Sequence, residues 1–400
     1  MADAAVTTSS EQPTEAPSPH KRSLFSPFNI IAAILLLATA PFAIMRFTGG
    51  LGAVTALDHT NPWGIWIGFD LLTGVALAAG GYVTSAAVYI FGKEEYHSAV
   101  RPAILTGFLG YGLVVFALLF DVGRPWRLPY PFFVSQGVTS IMFEVGACVA
   151  LYLTVLFLEF SPAAMEWLGL KKVRWIVVKL TILLTILGVL LSTLHQSSLG
   201  AMYLLAPSKL HPLWYSTYLP VFFFVSSIAA GLSMIIFEST MAHRYFPHLM
   251  DQRHKDESNK VALGFGRAAA LVLAAYSAIK IFGIAADNNW AYLLTGYGVW
   301  FLVELVGFVM APAFFFAVGV RDRNFKLIRG CAIWTVLGIV LNRFNISLIA
   351  FNWHLPEAER YFPALGEIAI SIFIVTLGIV VYRFIVTRMP ILYHHPDYHD

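Results

Sequence analysis

Four side chains in this 400-residue chain have the types needed for proton chemistry, and each sits inside or at the edge of a long apolar run. Asp70 lies in "NPWGIWIGFDLLTG" (61–74), Asp121 in "FDVGRPWRLPYPF" (120–132), Glu144 in "SIMFEVGACVALY" (140–152) and His195 in "LHQSSLGAM" (194–202). An imidazole titrates near neutral pH, so it can both give and take a proton, and carboxylates near it can relay protons. A redox-active lipid head group such as a quinone needs two electrons and two protons, which is the chemistry such a set suits. Gln196, Arg124, Trp66 and Ser140 stand beside these four and supply hydrogen bonds or an aromatic face. A second set, Glu238, Glu304, Lys280 and Arg343, and the carboxylate Glu159 are also embedded in apolar sequence.

Composition says what must hold these residues. The chain is 58% hydrophobic and only 12% charged, with a mean hydropathy of +0.71. A soluble domain carries about 25% charged residues, so this chain lacks the polar surface to cover a globule. It reads as an all-α polytopic membrane protein. Runs of about 20 apolar residues are long enough to span a bilayer. Ten such runs occur, at 29–47, 63–92, 99–120, 136–160, 174–195, 217–242, 262–286, 291–318, 326–350 and 365–387. The second contains Gly80-Gly81, where a bend is expected. Residues 1–27, rich in Ser, Thr, Pro and Glu, read as a disordered cytoplasmic tail, 28–390 as the transmembrane domain and 391–400 as a second cytoplasmic tail. "HKR" (20–22) before the first run mimics a signal peptide, but Pro41 follows the small-residue site, so an uncleaved first span is expected.

Lys and Arg accumulate on the cytoplasmic side of a membrane protein. Seven of the 26 basic residues, Arg46, Arg124, Arg127, Lys209, Lys280, Arg343 and Arg360, fall on one side, and the other 19 on the side of both termini. Both termini are therefore expected in the cytoplasm. A charge at the bilayer centre costs about 2.5–3.5 kcal/mol on insertion scales, so the embedded ones should face protein or a wet cavity. With this orientation Asp70, Asp121, Glu144 and His195 come from four consecutive spans at a similar outer depth, His195 ending the fifth span. That layer is the candidate site. The loops leave no room for a soluble catalytic domain, so whether the chain is itself an enzyme stays open.

Each residue also has an ordinary structural reading. His195 with "QSS" could cap a helix end at the interface, and Asp121 with Arg124 could form an ion pair that shapes a turn. Glu238, Glu304, Lys280 and Arg343 read more simply as paired charges between helices, and as a proton path only secondarily. Tryptophans 63, 66, 126, 214, 290 and 353 cluster at the expected outer boundary, as an aromatic belt or a docking face. Cys148 and Cys331 are too few for an iron–sulfur cluster and read as buried packing residues; no metal site and no nucleic-acid contact is expected. Of the 12 histidines only His195 lies at a depth suited to a haem, and one axial ligand without a partner argues against one.

Taken together, the stretches quoted above with "YHSAVRPAILTGFLGYGLVVFALLFDVGRPWRLPY" (96–130), "HPLWYS" (211–216), "IIFES" (235–239) and "YFPALGEIAISI" (361–372) resemble the NrfD-type membrane subunits, in particular their HybB-like branch. The likeness covers roughly 29–390 in collinear order. It implies two four-helix bundles, of the second to fifth and sixth to ninth spans, flanked by the first and tenth. It further implies a chain without haem or cluster that exchanges electrons between menaquinone and a periplasmic ferredoxin-like iron–sulfur subunit. A catalytic subunit of nickel–iron hydrogenase, molybdopterin or multihaem cytochrome type would complete the complex in a bacterial inner membrane. By matching motifs, Asp70, Asp121, Glu144, His195 and Gln196 become quinone-site candidates. Glu159 and Glu238 are the first suspects for proton movement. The rival readings are a passive anchor without a quinone site and a secondary transporter, although no inverted repeat is visible.

Overall fold

A computed structural model describes residues 25–393, 395 and 398. Most of the expected N-terminal tail, 1–24, and positions 394, 396, 397, 399 and 400 lie outside the described residues. Ten helices among the described residues are long and apolar enough to cross a membrane. They are α1 (Pro27–Gly49), α2 (Trp66–Ile90), α3 (Glu94–Asp121), α4 (Ile141–Leu168), α5 (Thr181–Leu205), α6 (Leu219–Tyr245), α7 (His254–Ala286), α8 (Gly296–Arg321), α9 (Phe325–Ile349) and α10 (Leu365–Arg388). These match the ten apolar runs. Apart from one isolated bridge, Leu210 to Phe351, the described residues contain no strand pairing.

Local chemistry sets the helix boundaries. Ser26 and Asp251 accept hydrogen bonds from Asn29 N and His254 N, and so cap α1 and the helix leading into α7. Gly169, at a φ of +73°, closes α4 in the left-handed conformation that glycine adopts without strain. An amphipathic helix, Lys171–Lys179, then leads into α5, with Lys179 over the Trp175 ring.

Two spans are not regular. α2 runs in π-helical turns over Trp66–Leu71 and again over Ala86–Ile90, with a break at residues 78–79 between them. The expected bend thus falls just ahead of Gly80-Gly81. α8 is π-helical over Val303–Met310, and α9 ends in a π-helical Asn345–Ile349. Asp70, Glu304 and Asn345 all lie in these wider turns, which occur often at functional positions in helices.

α2 is the most buried span and packs against α3, α5, α6, α9 and α10. It therefore touches members of both helix groups that the family resemblance implies. α3, α4 and α5 pack in succession, as do α6, α7, α8 and α9, while α1 and α10 pair and lean on α3. At the α2–α6 crossing, a Cβ on Gly231 would stand only 2.7 Å from the Gly80 backbone nitrogen, so bare glycine backbones meet there. The main core joins side chains from α2 through α9, including Tyr111, Tyr152, Phe223 and Phe301. Cys148 and Cys331 are free and buried.

Of the expected C-terminal tail, the described residues 391–393 fold back on the helix ends. Ile391 and Leu392 are fully buried, the Pro390 carbonyl accepts from Arg101, and the Leu392 carbonyl accepts from Asp251 N.

Candidate functional site

Helix continuity changes where His195 sits. The sequence reading ended the fifth span at His195, but α5 is helical to Met202 and closes in a tighter turn at Leu205. With ten residues still to run, His195 lies about 15 Å below that end of the span at 1.5 Å per residue. It is completely buried and no interfacial cap. Sequence polarity misled here: Gln196, Ser197 and Ser198 look like an ending, but Ser198 returns its hydroxyl to the Leu194 carbonyl within the helix.

Around His195 the core is polar and tyrosine-rich. The Tyr111 hydroxyl of α3 is 2.9 Å from His195 Nδ1. Tyr152 of α4 meets the Tyr111 ring edge-on, with centroids 4.7 Å apart at 90°. Gln196 donates from Nε2 to the Val75 carbonyl of α2 at 3.1 Å. His195 Nε2, Gln196 Oε1, Ser192 Oγ and the Tyr152 hydroxyl are all buried without a hydrogen-bond partner. Buried polar atoms in proteins are nearly always paired, so four together are unusual, and Ser192 lies within reach of both the Tyr111 and the Tyr152 hydroxyl. Sequence reading did not single out Tyr111, Tyr152 or Ser192, because a lone tyrosine or serine in an apolar run carries no spacing signal.

This polar column leads toward the side of the termini. Gly188, one turn of α5 before Ser192, leaves room for both the Tyr152 ring and the Glu159 carboxylate. Glu159 accepts from Thr185 and lines a cleft of about 320 Å³ together with Arg101, Phe160, Arg174, Ile182 and Ile391. At its rim Glu166 binds Arg101 through both oxygens and Arg174 at 2.7 Å.

Gln196 apart, the other sequence candidates make their contacts elsewhere. Asp70 accepts from Ser371 of α10 at 2.7 Å and lies within electrostatic reach of Asp121. The cation beside Asp121 is Arg46 of α1, not Arg124, which is exposed. Arg46 donates to the carbonyls of Phe120 and Val122 and so ties α1 to the end of α3. Glu367 completes that group. It accepts from Tyr361, Ala56 N and Ala364 N, and its carbonyl receives the Trp66 indole at 3.1 Å. Asp70, Asp121 and Trp66 therefore turn toward α1 and α10. Glu144 lies on α4 facing α5, where Ser198 donates to it, and is exposed on its other side. Ser140 precedes α4 with an exposed side chain. Of the six tryptophans, Trp126 and Trp290 are exposed as a belt requires, but Trp66 and Trp214 are buried donors.

Three of the second charged set, Lys280, Glu304 and Arg343, form one connected node. Lys280 and Glu304 are 3.5 Å apart and both buried; Glu304 also accepts from Trp214, Asn342 and Asn345. Arg343 donates to Asn342 and Ser226 and lies 4.0 Å over the Phe223 ring. Glu238 stands apart. It receives the Tyr382 hydroxyl at 2.7 Å and borders a small cavity of about 30 Å³ with Ser258, His254 and Leu392.

One family model, described as polysulphide reductase, NrfD, matches residues 53–352. The chain belongs to the NrfD family. It is 62% identical over 379 residues to a protein of Nitratidesulfovibrio vulgaris, covering 95% of this chain and 98% of that one. It is 32% identical over 374 residues to the probable Ni/Fe-hydrogenase 2 b-type cytochrome subunit of Escherichia coli, covering 92% and 91%. It is 28% identical over 376 residues to the menaquinone reductase integral membrane subunit of N. vulgaris, covering 86% of each. The second relative is named a b-type cytochrome subunit, and a haem of that type would need histidine ligands in this NrfD-family chain. A b-type haem takes axial histidines from facing helices; His195 lies mid-span, whereas His97, His243 and His254 lie near the ends of their helices on the side of the termini and His211 lies in the loop after α5. The residues around His195 do not offer such a pair.

Proposed function

We propose that this protein is the membrane subunit of a respiratory oxidoreductase complex, exchanging electrons between menaquinone and an iron–sulfur subunit on the periplasmic face. The observation that carries this reading is the fully buried His195–Gln196 pair, whose Nε2 and Oε1 have no partner inside a membrane-embedded core. A quinone head group offers two oxygens that accept hydrogen bonds when oxidised and donate them when reduced; His195 Nε2 can donate or accept according to its tautomer, and Gln196 Oε1 can accept from the reduced form. The menaquinone reductase relative supports the choice of lipid.

When bound, the quinone supplies the redox chemistry; this chain supplies position and protons. His195 orients the head group through Nε2, Gln196 Oε1 accepts from its reduced form, and the surrounding core keeps out bulk water. Ser192, Tyr152 and Glu159 form a proton route from the 320 Å³ cleft. The excess of Lys and Arg on the side of the termini supports a cytoplasmic opening for that cleft. Asp70 and Asp121, beside Arg46 and Glu367, form the polar wall nearer the periplasm, where Arg124, Ser140 and Glu144 face the bilayer edge. There the exposed Trp126, Tyr130 and Phe133 make a surface for the cluster-bearing partner and, through it, for a hydrogenase-type, molybdopterin or multihaem catalytic subunit. Glu238 is a second proton-entry candidate; Glu304, Lys280 and Arg343 are a weaker one.

The test is His195→Ala in the assembled complex, with menaquinone reduction followed in membranes. Loss of quinone turnover with the complex still assembled supports the reading. Unchanged turnover sinks it in favour of a passive anchor. Solute uptake by the purified chain in liposomes without redox partners would instead indicate a transporter.

A further inference from the structure

We propose that Tyr111 is a positioning residue that sets the tautomer of His195, so that one neutral imidazole donates to a quinone and accepts from a quinol. The inference rests on the quinone reading above. Its geometric basis is the 2.9 Å contact between the Tyr111 hydroxyl and Nδ1, with Nε2 the free end of the same ring. A phenol hydroxyl both donates and accepts, and a neutral imidazole carries its single proton on either nitrogen. Two arrangements follow. In the first, Tyr111 donates to Nδ1, so the proton of His195 resides on Nε2 and points at an acceptor. In the second, Nδ1–H donates to the Tyr111 oxygen, and Nε2 offers a lone pair to a donor.

The second arrangement requires another acceptor for the Tyr111 hydrogen. Ser192 and Gln196 lie close enough to provide one after the hydroxyl rotates, and Ser192 Oγ and Gln196 Oε1 are both unpartnered. The Tyr111 ring itself cannot swing away. It is fully buried and held by the edge of Tyr152, so the change is a hydroxyl rotation and a proton shift, with no movement of the helices.

The balance closes at one quinone oxygen. The Nε2–H bond breaks as an O–H bond forms on that oxygen, which is being reduced by electrons from the iron–sulfur partner. Nδ1 takes the Tyr111 proton, and Tyr111 regains one arriving through Ser192. Histidine and tyrosine are neutral before and after, and the second quinol hydroxyl takes its proton independently of this pair. Reversing every step oxidises the quinol.

Tyr111→Phe keeps the ring and removes the switch. Nδ1 then has no partner. A buried bare nitrogen is tolerated better than a buried N–H without an acceptor, so His195 is held with its proton on Nε2. Binding is read from tryptophan fluorescence of the full chain in lipid nanodiscs, under anaerobic conditions, with menadione and with menadiol. The variant should bind menadione within about twofold of the parent. It should bind menadiol about tenfold more weakly, the scale of one unpaired buried donor. Equal weakening of both forms, or of neither, overturns the assignment while His195→Ala still abolishes binding. If His195→Ala leaves both affinities unchanged, the quinone reading itself has failed, and this inference with it. A second readout needs no variant: the reduced-minus-oxidised infrared difference spectrum of the parent with bound menadione should contain tyrosine and imidazole bands. Their absence overturns the proposal as well.

Discussion

Lys280→Met tests the buried charge node most directly. Lys280 is 3.5 Å from Glu304, and both side chains are almost wholly out of solvent. Replacing the ammonium by a methyl thioether of similar length leaves Glu304 facing three neutral donors, Trp214, Asn342 and Asn345. Those bonds retain part of the carboxylate's solvation but not its counter-charge. Breaking a buried pair from one side costs about 3–5 kcal/mol. Removing one neutral donor, as in Trp214→Phe, costs about 1–3 kcal/mol. The ordering of the variants therefore matters more than either value. Adding Glu304→Gln to Lys280→Met removes the stranded charge, so the double variant should be more stable than Lys280→Met alone. Unfolding free energies in mixed micelles across the four members of the cycle give the coupling. A Lys280→Met loss below about 1 kcal/mol, or a double variant less stable than that single one, would refute the assignment of Glu304 as a charged partner of Lys280.

Gly231→Ala should destabilise by about 1–3 kcal/mol, because its Cβ would meet the Gly80 backbone, which has no flexible atom to yield; a melting curve unchanged from the parent would contradict this. His211, in the loop between α5 and α6, is enclosed by Tyr297, Trp353, Trp214 and Tyr292, and burial pushes its pKa down to about 4. The unfolded chain binds that proton near pH 6.5 while the folded one does not, so stability falls as pH drops from about 6.5 to about 4 and then levels off. His211→Phe should remove up to about 1.4 kcal/mol per pH unit from the slope in that window, measured as the difference between variant and parent denaturation across pH; parallel pH profiles would show that His211 is not the group responsible.

The ten spans were legible because length and hydropathy alone decide whether a helix can cross a bilayer, and nothing in the tertiary structure overrides that. The two unpaired cysteines were legible for the same reason, since both sit in apolar sequence. The direction in which each embedded carboxylate points was not. Regular helical phasing assumes about 100° per residue, and α2 departs from it through its π-helical turns at both ends. Asp70 lies within one of them and turns to Ser371 rather than to His195. Arg46 was read only as a boundary charge, yet it is the cation beside Asp121, because contacts between α1 and α3 leave no mark at the level of local sequence. Tyr111 was missed because its importance is a 2.9 Å relation across two helices.

The seam at Gly80 and Gly231 bears on how the whole molecule does work. Main chains that touch with no side-chain padding act like a welded joint, since sliding one past the other would drive peptide groups into collision. Domains that rock to pass cargo from one compartment to the other need a lubricated hinge at that position. A joint of that kind suits the proposed exchange of electrons and protons with a lipid, which asks for no rocking of one half of the molecule against the other.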